Sequence, residues 1–146
     1  MERDKVKQEI LSYLLLDSHV QEMKRFTQHG SVSTFEHCIS VANISYAIDK
    51  CLSLHSDLKV LLTGAVLHDF YLYDWHSGTH RLHGFLHAKT ACKNAKKYFA
   101  IDDKISHVIE SHMWPLNLEN FPRSKEAWVV CVADKCVSLY ETLLRR

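Results

Sequence analysis

Two aspartates stand where carboxylates are least at home. Asp69 follows Ala65, Val66 and Leu67, and Asp134 follows Val130, Cys131 and Ala133, so both fall inside apolar helical faces. An unpaired buried carboxylate is prohibitively costly, so each must meet a cation or a dense set of donors. Arginine and lysine are scarce on these faces, but histidine is plentiful: the chain has 11 His in 146 residues. His37 shares a face with Val41 and Ile44, and His68 follows Leu61 and Ala65 at helical spacing. His87 precedes Ala91 and Ala95, and His112 ends the face of Ile105, Val108 and Ile109. Each histidine taken alone reads more simply as a hydrogen-bonded core or surface residue. Taken together with two buried carboxylates, they point to a metal centre. Imidazole and carboxylate without thiolate are ligands for Fe, Mn, Zn, Co or Ni, and a helical bundle can gather them from facing helices.

The elements that must position these groups read as helices throughout. Apolar residues recur at helical spacing over 4–16, and a second short helix is expected from Ser18 to near Gly30. Ser33 and Glu36 resemble a capping box opening a helix that runs to about Leu54. Ser56 or Asp57 caps the apolar segment LKVLLTGAVLHDF, which should be the central buried helix. A loop or lid over YLYDWHSGTHRLHG follows, then a helix over about 85–99 and another capped by Asp102 or Asp103. That helix must stop before Pro115, because the residue preceding proline is biased out of helical geometry. Ser124 caps the last helix. No segment alternates convincingly at period two, so the expected fold is all-α, a bundle of about six or seven helices.

Composition narrows the function. The 146 residues suit one domain, with 47% hydrophobic and 24% charged residues, which excludes disordered and collagen-like chains. The formal net charge is +1, too small a basic excess for a groove that binds a long nucleic acid. Five cysteines without a CxxC pair suggest neither a disulfide framework nor a thiolate zinc site, and packing is the simplest role for Cys38, Cys92, Cys131 and Cys136. With no signal-peptide layout and no run long enough to span a bilayer, a cytoplasmic protein without a membrane partner is expected.

The order His37, His68-Asp69, Asp134 resembles the H…HD…D pattern of the HD-domain superfamily of metal-dependent phosphohydrolases. The likeness spans about residues 33–140, within a single domain of 1–146, and implies an HD-type helical bundle. His87 in GFLHAKTA and His112 in IESHMWPL are similar to the extra ligands of dinuclear members. By that resemblance His37, His68, Asp69 and Asp134 hold one divalent ion, and Asp69 bridges to a second held by His87 and His112. Asp69 and His68 are then also the catalytic candidates. Two such ions share and activate one water as the nucleophile on phosphorus. The implied substrate is a small phosphorylated, nucleotide-like molecule. The chain lacks a Gly-Tyr-Pro string, and Leu72 stands three residues after Asp69 where nucleotidases and stringent-response hydrolases of the superfamily carry an acid. Those activities and cyclic-dinucleotide hydrolysis are therefore not implied.

The loop after Tyr71 supplies further candidates. Arg81 and His83 could contact phosphate, and Trp75 and His76 could stack on a base or sugar. A solvated loop charge is the plainer reading of Arg81. His83 and His87 are an i,i+4 pair that could both ligate; the resemblance selects His87 and leaves His83 to a supporting or substrate role. Lys135, beside Asp134, could reach a phosphate or simply face solvent. His19, His29, His55 and His107 read as surface residues. A non-catalytic metal- or nucleotide-binding regulatory module, and a bundle whose histidines bind nothing, are the rival readings.

Overall fold

A computed structural model describes residues 1–78 and 82–144. Among these, the chain folds into α1 (Glu2–Leu15), α2 (Ser18–Gln21), α3 (Thr34–Cys51), α4 (Leu58–Leu67), α5 (His83–Tyr98), α6 (Asp103–Ser111) and α7 (Lys125–Leu144). One small antiparallel hairpin, β1 (Thr27–His29) with β2 (Val32–Ser33), interrupts the helices. The architecture is the expected all-α bundle. No described helix is long and apolar enough to cross a membrane.

Helix α4 is the central rod. Every residue from Leu58 to Leu67 is buried except Lys59, and α4 packs against α1, α3, α6 and α7. Asp57 caps it by accepting the N–H groups of Lys59 and Val60. Gly64 faces Val108 of α6 so closely that a Cβ there would lie 2.5 Å from the valine Cγ1. The glycine is required by that approach. Helix α3 opens with the capping box: Ser33 accepts the Glu36 N–H, and the Glu36 carboxylate accepts the Ser33 N–H.

Three expectations are corrected. The helix from Ser18 ends at Gln21, passes through a 3₁₀ turn (Glu22–Arg25) and gives way to the hairpin. Gly30 turns that hairpin at φ +56°, a left-handed conformation that glycine adopts without a Cβ penalty. The strands are too short to show alternation. On α3, the buried arc is centred on Cys38, Val41 and Ser45, which leaves Ile44 at its edge and exposed. Cys38, Cys92 and Cys131 are buried as packing residues, whereas Cys136 is exposed.

Candidate metal centre

Four imidazoles and two carboxylates meet where five elements converge. His37 projects from the first turns of α3, and Asp134 from the middle of α7. His68 and Asp69 follow the last residue of α4, where the apolar rod ends and the chain turns. His87 lies one turn into α5, and His112 follows the last residue of α6. All six are buried.

The ring orientations are determined by what each Nδ1 meets. In His68 it is 2.7 Å from the Ala65 carbonyl, in His87 2.8 Å from that of His83, and in His112 2.6 Å from that of Ile109. A carbonyl can only accept, so each Nδ1 carries the proton and donates it. His37 Nδ1 donates to the Glu141 carboxylate at 2.8 Å. In the neutral ring every Nε2 is then a bare lone pair, and all four point inward at other acceptors. Nε2 of His37 is 3.0 Å from Asp134 Oδ1 and 3.6 Å from Asp69 Oδ2. That of His68 is 3.2 Å from Asp69 Oδ2 and 3.4 Å from Asp134 Oδ1. On the other side, Asp69 Oδ1 lies 3.1 Å from His87 Nε2 and 3.3 Å from His112 Nε2, and those two nitrogens are 3.0 Å apart.

Lone pairs facing lone pairs repel unless protons or cations lie between them. Among the described residues, two buried atoms of the cluster, His68 Nε2 and Asp69 Oδ1, lie close to other members of the cluster but make no hydrogen bond. The donor set fits divalent cations: His37, His68, Asp69 and Asp134 offer ligand atoms within 4.8 Å of one another, as do Asp69, His87 and His112, and Asp69 belongs to both groups.

Without a cation, protons take over. Burial alone would lower the His37 pKa, but its bonds to Asp134 and Glu141 outweigh burial and hold it at about 10. His68 and His87 are likewise raised against burial, in both cases first by the nearby Asp69 carboxylate. Burial and the neighbouring His68 charge keep His112 low. Burial pushes the pKa of both aspartates up; the surrounding histidines more than reverse it.

Sequence reasoning missed the supports of this centre. Gln28 of β1, itself buried, donates its amide N–H to Asp69 Oδ2 at 2.6 Å. Its carbonyl accepts the hydroxyls of Tyr71 at 2.5 Å and Thr34 at 3.2 Å. The hairpin thus clamps the shared carboxylate. Glu141 carried a readable signal: it lies seven residues after Asp134, two turns along the same buried face. His29 is corrected from a surface residue: it is half-buried, and with His37 and Glu141 it forms a third group of closely spaced ligand atoms.

The centre forms the floor of an open cleft of about 1200 Å³. Trp75, His76, His83 and Lys135 all line it. The Trp75 and His83 rings stack at 4.8 Å, and His83 stacks on the ligand candidate His87 at 4.5 Å. Lys135 donates to the His112 carbonyl at 2.9 Å, which draws its ammonium back from the cleft mouth. Met113, Pro115, Leu116 and Leu139 form an apolar wall. Arg81 lies outside the described residues. His19 and His107 stay out of the centre: His19 stacks on Tyr98, and His107 accepts the Arg123 N–H.

The HD-domain family model matches residues 34–139, and the chain belongs to this family, whose members are generally metal-dependent hydrolases. The match begins on α3 and ends on α7, enclosing all six residues of the cluster. No curated protein and no solved structure matches the chain significantly.

Proposed function

We propose that the chain is a phosphohydrolase with a two-cation centre, cleaving a phosphoester or phosphoanhydride bond in a small, nucleotide-like molecule. One observation carries this reading: four imidazoles anchored through Nδ1 aim their Nε2 atoms at two buried carboxylates at the floor of an open cleft. His37, His68, Asp69 and Asp134 would hold one ion, and His87 and His112 a second. Asp69 would serve both, because Oδ2 faces the first pair of histidines and Oδ1 the second. Divalent ions of the Fe, Mn, Zn, Co or Ni type supply an activated water and neutralise charge on phosphate oxygens.

The protein residues around them orient and select. Gln28 holds the Asp69 carboxylate by a donated N–H. The rings of His76, Trp75, His83 and His87 pack on one another and wall the cleft with ring edges against which a base or sugar would lie, and His29 and His76 stand where a phosphate could accept from an imidazole N–H. The cleft exceeds the roughly 300–1,000 Å³ of a drug-sized site, leaving room for a nucleotide.

Elemental analysis combined with a panel of phosphomonoesters, nucleotides and pyrophosphates tests the reading. The expected outcome is two ions per chain and metal-dependent release of phosphate. Asp69→Ala should lose both ions and all turnover; His87→Ala should lose one ion of the two. Bound metal with no turnover on any member of the panel would make the chain a regulatory module instead.

A further inference from the structure

The outward face of α5 changes chemistry along its length. At 100° per residue, Leu82 (just before the helix), Phe85 and Leu86 share an arc of about 120° with Lys89, Lys93, Lys96 and Lys97 further along. The three apolar residues are 58%, 55% and 49% exposed. Leu116 and Leu118 extend the patch: Phe85, Leu86, Leu116 and Leu118 line a common groove, and Leu118 is 74% exposed. The four lysines are exposed, and among the described residues none is in an ion pair. Helix α5 has no acidic residue. Glu110 and Glu119, which line the groove beside it, offset only part of that charge.

We propose that this end of the molecule docks on an anionic bilayer surface. Apolar side chains at the tip of α5 enter the acyl boundary while the lysines behind them meet lipid phosphates. The spacing matches that arrangement. At a rise of 1.5 Å per residue, Lys89 lies about 6 Å and Lys93 about 12 Å behind Phe85 along the axis. One leaflet's headgroup layer is roughly 5–8 Å thick, and the field of an anionic surface extends about 8 Å further. Lys89 therefore lies among headgroups and Lys93 within their field. Lys96 and Lys97, about 16 and 18 Å behind Phe85, lie at the outer edge of that field. A bilayer always presents charge outside and apolar chains beneath it, the order in which the apolar tip and the lysines follow one another along α5, whereas a protein partner has no such fixed layering. Such docking needs no membrane-spanning helix, and no described helix is long and apolar enough to be one. Gly84 and Leu116 also line the metal-centre cleft, so docking turns the cleft mouth towards the bilayer. The inference stands independently of what the metal centre hydrolyses.

Sedimentation of the full chain with vesicles provides the test. One set contains about 30% phosphatidylglycerol in phosphatidylcholine, the other phosphatidylcholine alone. The protein should sediment with the anionic set only, and binding should fall at least tenfold between about 0.1 M and about 1 M salt. Each lysine near the surface contributes roughly fivefold, so Lys89→Glu with Lys93→Glu should weaken binding by about 25-fold or more. Phe85→Ser with Leu86→Ser should abolish it, and both double variants should keep the wild-type circular dichroism. No sedimentation with anionic vesicles overturns the proposal, as does binding that neither double variant alters. A wild-type dimer that Phe85→Ser with Leu86→Ser converts to monomer also overturns it, because a second copy then covers the patch. So does binding of a polynucleotide through the lysines without any binding to vesicles.

Discussion

At the scale of single residues, the centre depends on which ring nitrogen carries the proton. Glu141 matters because it is the one side-chain carboxyl among the four Nδ1 partners, and a carboxylate partner raises the basicity of the opposite nitrogen. Glu141→Gln should therefore weaken metal affinity by about 10–100-fold while leaving stoichiometry at full saturation unchanged, as titration calorimetry would show. Proton competition sets a second expectation. In the metal-free protein His37 is held up at about 10, and His68 and His87 lie above the usual 6.5. A cation must displace those protons, so affinity should rise with pH between about 6 and 9, roughly tenfold per pH unit for each proton released. Pairing of acidic and imidazole groups was legible in the sequence, because Asp69 and Asp134 interrupt apolar runs that no isolated carboxylate could interrupt. Gln28 was not legible: its role depends on a hairpin that brings it across to Asp69, and nothing local distinguishes it from any polar strand residue.

At the scale of elements, helices with strong start signals are readable. Ser33 with Glu36 and Asp57 before an apolar run mark the starts of α3 and α4, and both caps form. The stretch after Gln21 reads as helix in the sequence because three-residue and two-residue strands are too short for alternation to compete with helical spacing. Contacts between elements are invisible in the sequence, and Gly64 is the clearest case. A glycine inside a helix reads as a cost of about 1 kcal/mol relative to alanine, but here it lets α4 and α6 approach. Gly64→Ala should force Val108 aside and lower stability by about 1–3 kcal/mol in chemical denaturation, despite the gain in helix propensity. His112 follows the last turn of α6, so the same variant should disturb the Asp69–His87–His112 group more than the His37–His68–Asp69–Asp134 group, as metal titration would show.

At the scale of the whole molecule, the ligand set ties together helices distant in sequence: α3, α5, α6, α7 and the end of α4 all contribute. Cations binding only the folded state should therefore stabilise it globally. At a thousandfold excess over Kd the gain is about 4 kcal/mol, equivalent to a rise in Tm on the order of 10 °C for a chain of this size. Chelation should reverse the rise in differential scanning calorimetry, and a Tm indifferent to chelator would contradict the centre. Three of the four imidazole anchors are peptide carbonyls, at Ala65, His83 and Ile109. Those oxygens belong to the backbone, so any substitution that the buried packing of Ala65 and Ile109 and the His83–His87 stack accommodates leaves the rings aimed as before. Attempts to retune which ion the protein prefers would accordingly gain leverage from Glu141 and Gln28, whose contributions are written in side chains and can be exchanged.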